Sequence, residues 1–523
     1  MTSRGRGTVD VDEIAGAYAF DGPLVELGAL VVDGKVHSKA PIRLPLSMMN
    51  RHGLVAGATG TGKTKTLQLM AEQLSTAGVP VFLADIKGDL SGMAVAGKLD
   101  DNIGRRASNI GYDWTPMSCP VEFFSLGGEG KGVPIRSTMT AFGPTLLAKV
   151  LGLNDVQESS LGLIFHYSDK AGLPLLDLKD LRAVVHHLTS DEGLQELKDL
   201  GGLSRATAGV ILRQLVAFET QGAEKFFGEP EFDTADLLRV APDGRGVVSM
   251  LELPSLQDRP ALFSTFLMWL LADLYENLPE VGDLDKPKLV FFFDEAHLLF
   301  GDASKAFLDA IQRTIRLIRS KGIGVFFVSH TPQDVPADVL AELGNRVQHA
   351  LRAFTPQDAK ALKATVSTFP TTEYDLRELL MQLGIGEAVV TVLTERGAPT
   401  PVAWTLLRAP QTLMAPCEEA VLDGIVAGSP LTAEYGQSID RDSAYERLNA
   451  KLAAGAAAAD AGAEADPKRE EAPPPQGRST RSSAPAASPL EKALDTFAKS
   501  AASTLGREIM RGIFGTARRR RRR

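Results

Sequence analysis

Eight consecutive residues set the strongest limit on what this chain can fold into. Gly57 to Thr64 reads Gly-Ala-Thr-Gly-Thr-Gly-Lys-Thr, which fits the phosphate-loop (Walker A) pattern GxxxxGK[ST] at every fixed position. An apolar run, Leu54, Val55 and Ala56, leads in, and a helical pattern, Leu67, Leu69, Met70 and Leu74, leads out. Strand, glycine loop and helix start therefore follow in that order. Such a loop wraps a polyphosphate with backbone N–H groups at a helix N-terminus, an approach that side chains would block. Gly57, Gly60 and Gly62 clear the space, with Ala58, Thr59 and Thr61 between them. Lys63 is placed to reach the β- and γ-phosphates of a bound nucleotide and Thr64 to ligate Mg2+, and Lys65 closes the expected nucleotide-binding segment.

That loop needs a partner, and Lys288 to His297, Lys-Leu-Val-Phe-Phe-Phe-Asp-Glu-Ala-His, supplies one. A buried strand ends in Asp294, positioned for the magnesium shell (Walker B). Glu295 follows where hydrolysis needs a general base for water. One carboxylate is neutralised by metal while the other stays free. His297 stands open between a nucleotide contact and a packing role. The next strand, Gly324 to Val328, ends in Ser329 and His330, sensor candidates for the γ-phosphate, with Gln333 a weaker one. Helix capping is the competing role for Ser329. Arg316 and Arg319 lie three apart on one helical face, either as fingers for a neighbouring subunit's phosphates or as a solvated basic face.

Apolar runs of strand length recur: Val79–Ala84, Val121–Phe124, Val247–Leu251, Leu289–Phe293, Gly324–Val328 and Val347–Ala353. Most are continuously apolar, as parallel strands covered on both faces are. Helical stretches separate many of them, so the expected fold is α/β, a RecA-like P-loop NTPase core with a mainly parallel sheet. Glu387–Leu393 and Pro401–Leu407 read as a C-terminal edge hairpin. The expected organisation is an N-terminal β-flap (1–45), a first part of the core (46–133), an α-helical insertion (134–240), a second part of the core (241–449), a disordered linker (450–489) and an amphipathic basic tail (490–523). The insertion is a lid, a subunit contact or a docking surface for a protein partner. The linker assignment rests on Ala, Pro, Ser, Gly and charge, too little apolar surface to offset ordering entropy.

With 523 residues, 44% of them hydrophobic, the chain exceeds one ordinary core. No apolar stretch reaches membrane-spanning length, and Met1–Gly7 leads into no signal-peptide core, so a cytoplasmic location is expected. Cys119 and Cys417 are too few for a disulfide framework or a cysteine zinc site. The net charge of −9 argues against a surface coated for nucleic acid, although a basic channel fits within an acidic total. Arg518 to Arg523 is an unbroken basic run, suited to nucleic-acid phosphates or to an anionic membrane.

Taken together, these segments resemble the HerA and FtsK branch of P-loop ATPases: His52 through Thr64, Phe293-Asp-Glu-Ala-His297, Arg316 through Gly324, and Ser329-His-Thr-Pro332. Asp85-Ile-Lys-Gly-Asp-Leu-Ser-Gly92, Arg346 through Pro356, and Gly506 through Gly515 are similar, more narrowly, to the bacterial HerA-like family that includes YjgR. The resemblance implies an ATPase, a homo-oligomeric ring such as a hexamer, and a DNA translocase or helicase acting on duplex DNA. HerA translocases carry an N-terminal β-barrel that docks a nuclease, and only about fifty residues precede the loop here. His330 stands where those chains place Gln. A nucleotide switch or scaffold acting on protein or membrane partners remains the alternative function. An acceptor phosphotransferase is disfavoured by the Asp-Glu pair.

Overall fold

The computed structural model describes residues 9–197, 201–253, 259–282, 284–301 and 305–464. They form two compact units. One holds residues up to 137 with 146–152 and 218–439; the other holds 138–145 and 153–217 with those from 440 onward. The helical stretch expected over 134–240 is thus shared between the two. The basic tail, the arginine run and the linker beyond 464 lie outside the described residues.

A twelve-stranded sheet runs through the first unit: β1 (Leu24–Val32), β2 (Lys35–Pro45), β3 (Gly53–Ala56), β4 (Val81–Asp85), β5 (Val121–Leu126), β6 (Val133–Ile135), β7 (Val248–Glu252), β8 (Leu289–Phe293), β9 (Ile323–Ser329), β10 (Asn345–Gln348), β11 (Glu387–Thr391) and β12 (Ala403–Leu407). The order is β2-β1-β12-β11-β10-β3-β9-β8-β4-β7-β5-β6. From β10 to β6 neighbours run parallel, and from β10 to β2 they run antiparallel. The expected α/β class and mainly parallel sheet are both present. Successive strand residues point to opposite faces, and here both faces are covered. Val290 and Phe292 of β8 join Val81, Leu83, Met250 and Phe326 in a core shared with Leu67, Met70 and Leu74 of the helix Lys63–Thr76. Phe291 packs tilted against Phe82 at 5.1 Å between ring centres on the other face, where Phe82 meets Phe266 of the helix Pro260–Asn277. A core on each side explains why these strands lack polar alternation.

Two expectations are corrected at the antiparallel end. β11 and β12 do pair, but not at an edge: β1 bonds to β12, with Gly28 opposite Leu407 and Leu30 opposite Thr405. The N-terminal segment is therefore part of the sheet and not a flap lying on it. An uncovered β12 would leave a row of N–H and C=O groups unpaired, and β1 satisfies them. Gly28 makes the approach possible, since a Cβ there would fall 2.0 Å from the Leu406 carbonyl oxygen. The apolar run Val347–Ala353 leaves the sheet at Gln348, and Ala350 and Leu351 enter a small separate core with Leu362, Leu376 and Leu380. The short β6 carried no signal in the sequence.

The second unit is helical: Asp155–Lys170, Leu178–Leu188, Asp191–Glu196 and most of Arg205–Thr220 accompany Ala444–Glu464. Buried Asp180 ties it together, accepting from the backbone N–H groups of Leu176 (2.8 Å) and Tyr445 (2.9 Å) and from the Ser443 hydroxyl. Residues 450–464, expected in the linker, continue the last helix. Alanine is the strongest helix former, so an Ala-rich run propagates from an anchored first turn.

Candidate active site

The phosphate loop leaves β3 and closes on the helix Lys63–Thr76. It is clamped from two sides: Gly57 N donates to the Ser329 carbonyl (3.2 Å), Ala58 N to that of Ala350 (2.8 Å), and Gly386 N to that of Thr61 (3.0 Å). His349 fills the space beneath, and a Cβ on Gly57 would sit 2.5 Å from its Cβ. Its Nε2 meets Thr66 Oγ1 at 2.9 Å, and burial holds its pKa down to about 4, so the wedge stays neutral. Thr59 and Gly60 form an exposed tip, with Gly62 at φ +114 opening the helix. The Thr61 hydroxyl returns to the Ala58 carbonyl at 2.7 Å. Lys63 is buried and donates to the carbonyls of Gly57 (2.7 Å) and Ala58 (3.2 Å). Burial lowers its pKa, opposed by the charges of Glu295 and Asp294. Thr64 follows, half-buried, and the Lys65 ammonium donates to Gln68 at 3.2 Å.

Asp294 and Glu295 leave the end of β8. Asp294 Oδ1 accepts from Glu295 N (2.9 Å), while Oδ2 is buried with no hydrogen-bond partner. Burial, then the charge of Glu295, pushes the Asp294 pKa up to about 7. An orphaned carboxylate oxygen beside the loop lysine's field fits a hard dication, and Thr64 and Asp294 are the residues that would hold Mg2+. Glu295 takes left-handed backbone, φ +50, a cost that non-glycine residues bear only where neighbours fix them. One neighbour is Lys87, whose ammonium pairs with Glu295 Oε1. Burial raises the Glu295 pKa, but the Lys87 hydrogen bond and charge outweigh it, and the net shift is downward.

Lys87 is aimed by the turn after β4. Asp85 accepts there from the N–H groups of Lys87 (3.2 Å), Gly88 (2.7 Å) and Leu90 (2.8 Å). Across the sheet Asp85 faces Glu252 of β7, whose pKa burial and then Asp85 push up to about 8. Sequence reasoning assigned no role to Lys87, Glu252 or His349. The usable signal was position, since Lys87 and His349 each follow the carboxyl end of a parallel strand.

His330 and His297 converge on the other carboxylate oxygen. Nε2 of His330 lies 3.3 Å and Nδ1 of His297 3.2 Å from Glu295 Oε2, with the two rings 5.1 Å apart. Ser329 is fully buried. Its hydroxyl donates to Asp334 at 2.7 Å, and Asp334 also accepts from Thr331 N (2.8 Å). Ser329 thus shapes the turn that carries His330. Gln333 turns toward Thr365, at 3.4 Å.

The structure does not bring Arg316 and Arg319 to this cluster. Both are exposed, and Arg316 pairs with Glu342. Buried His52, which precedes β3, accepts from Val325 N (3.1 Å) and donates to the Ile315 carbonyl (2.8 Å). Those bonds fix the end of the arginine-bearing helix beside the amino ends of β3 and β9. The phosphate loop leaves the carboxyl ends, so neither arginine serves the loop of its own chain.

A family model described as helicase HerA-like C-terminal matches residues 32–523. The DNA double-strand break repair helicase HerA of Saccharolobus solfataricus is 20% identical over 384 residues, 72% of this chain and 68% of that protein. The helicase of the same name from Sulfurisphaera tokodaii is 23% identical over 372 residues, 69% of this chain and 66% of that protein. The chain thus spans about two thirds of the length of these relatives. Among solved structures, plasmid coupling protein TrwB in complex with ADP and Mg2+ matches with a TM-score of 0.53 at 16% identity, covering 79% of this chain and 95% of that one. That likeness shows the fold. With the loop, the acidic pair and the sheet in place, the chain belongs to the helicase HerA-like C-terminal family and is an ATPase by that membership.

Proposed function

We propose that the chain is an ATP-driven motor on duplex DNA, working as a ring of identical subunits, most simply a hexamer. One observation carries the hydrolytic part: Asp294 and Glu295, at the end of β8, lie within the electrostatic reach of the buried loop lysine, Lys63. Lys63 exchanges the carbonyls of Gly57 and Ala58 for the β- and γ-phosphate oxygens of the substrate. Thr64 and Asp294 would hold Mg2+, which would supply charge neutralisation on the polyphosphate. Glu295, kept ionised by Lys87, accepts the proton of the attacking water once Lys87 releases it. The names of the relatives support DNA as the track.

The test uses the full chain. Turnover is expected to rise with duplex DNA and fall with salt as phosphate contacts are screened. Glu295→Gln should bind ATP as tightly as the parent while losing ~10²-fold or more in kcat. Light scattering should show a closed oligomer. Unchanged turnover with every DNA form at low salt would overturn the motor. The net charge of −9 favours the second reading, a nucleotide switch acting on protein or membrane partners. Turnover that ignores DNA and responds to a purified protein or to anionic vesicles would establish it.

A further inference from the structure

We propose that Glu295, His297 and His330 form a binding site for a borderline-soft transition-metal dication of the Zn2+ class, distinct from the magnesium position at Asp294, and that its occupation switches hydrolysis off. The three residues each present one ligand atom, and these atoms lie within 4.8 Å of one another. Two of the separations carry the argument: Glu295 Oε2 stands 3.2 Å from His297 Nδ1 and 3.3 Å from His330 Nε2. Ligands about 2.0 Å from a tetrahedral Zn2+ stand roughly 3.3 Å apart, so the side chains already hold two edges close to those of such a polyhedron.

A second observation is independent of spacing. Glu295 Oε2 and His297 Nδ1 are both buried and both lack a hydrogen-bond partner, although they face each other. The Glu295 side chain is 6% exposed, and a buried carboxylate oxygen of this kind is expensive unless something binds it. The two imidazoles are about one-third exposed, which leaves solvent access for water to complete the coordination shell. Two neutral imidazoles and one carboxylate select Zn2+, Co2+ or Ni2+, whereas Mg2+ prefers an all-oxygen octahedron. Lys87 holds the opposite oxygen, Oε1, so a cation on Oε2 does not need that ion pair to break. A cation on Oε2 draws negative charge from the whole carboxylate, so Glu295 becomes too weak a base to take the proton of the attacking water. This inhibitory half rests on the role proposed for Glu295, and the binding half does not.

The experiment titrates Co2+ into chelator-treated full-length protein, without nucleotide or Mg2+, following its visible absorption and stoichiometry. One equivalent is expected, with no thiolate charge-transfer band, and His297→Gln and His330→Gln should each weaken binding by ~10-fold or more while melting like the parent. Absence of saturable binding, a thiolate band from Cys119 or Cys417, or variants that bind within twofold of the parent would each overturn the site. In the second arm, Zn2+ is added to turnover at saturating ATP and Mg2+. Inhibition that a chelator reverses, with a midpoint raised ~10-fold in His297→Gln, supports the switch. Turnover indifferent to Zn2+ overturns it. If the parent turns over no ATP yet binds Co2+ through these histidines, the site stands and the catalytic assignment of Glu295 falls.

Discussion

Glu295 lies between opposing influences: burial favours its neutral form, and Lys87 favours the carboxylate. Replacing Lys87 with Met removes the largest influence opposing burial and leaves only the charges of His330 and His297 against it, so the Glu295 pKa rises and the base is protonated to higher pH. The acid limb of the kcat/KM–pH profile should therefore move toward alkaline values, with activity at pH 6 falling more than at pH 8. A limb that stays in place would show that Lys87 does not set the state of the base. Glu252 offers a stability test. Its carboxyl is held protonated up to about pH 8 in the folded protein, whereas an unfolded glutamate ionises near pH 4. As pH rises between those values the unfolded state gives up its proton and the folded state does not, so folding stability falls. Glu252→Gln should melt a few degrees above the parent at pH 8 and together with it near pH 4. Equal melting curves at pH 8 would mean that Glu252 ionises freely.

At the scale of elements, the parallel half of the sheet was legible because burial on both faces leaves no choice of residue. The run Leu289–Phe293 is a strand in the sequence and in the structure. The phosphate loop was legible for a similar reason, since glycine at position 57 answers to the nearby His349 Cβ. What the sequence concealed depended on distant partners. Nothing local in Glu387–Leu407 tells an edge hairpin from an interior one; the difference is made by β1, more than 350 positions earlier. Lys87 is an ordinary surface lysine until the Asp85 turn aims it, and the meeting of His330 and His297 on one Glu295 oxygen has no local signature. Ala450–Glu464 misled because the composition of a linker is also that of a good helix. The β1–β12 contact can be tested through Gly28→Val, which forces a side chain against the Leu406 carbonyl. We expect a loss of ~2 kcal/mol or more in urea unfolding, with β11 and β12 amides exchanging faster. Unchanged unfolding would mean the strands separate there at no cost.

For the molecule as a whole, the exposed arginines at the amino ends of the strands matter only if another copy supplies the phosphates. Arg319→Ala is expected to lower kcat by ~10³-fold, the scale of a lost arginine finger. Mixing it with the equally inactive Lys63→Ala protein should then restore turnover, because Lys63→Ala subunits lend intact arginines to neighbours with intact loops. Arginine variants that keep full activity, or mixtures that stay silent, would remove the finger role. Assembly of the single chain raises a different matter of timing. β1 must wait for β12, so a ribosome has passed residue 407 before the N-terminal hairpin can take its place. Until residue 407 of 523 has been made, β1 is a strand with one side unclaimed, open to pairing with a nearby nascent copy. A protein whose first strand completes its pairing only with its last is one whose yield in cells should depend on chaperones and on the pace of translation.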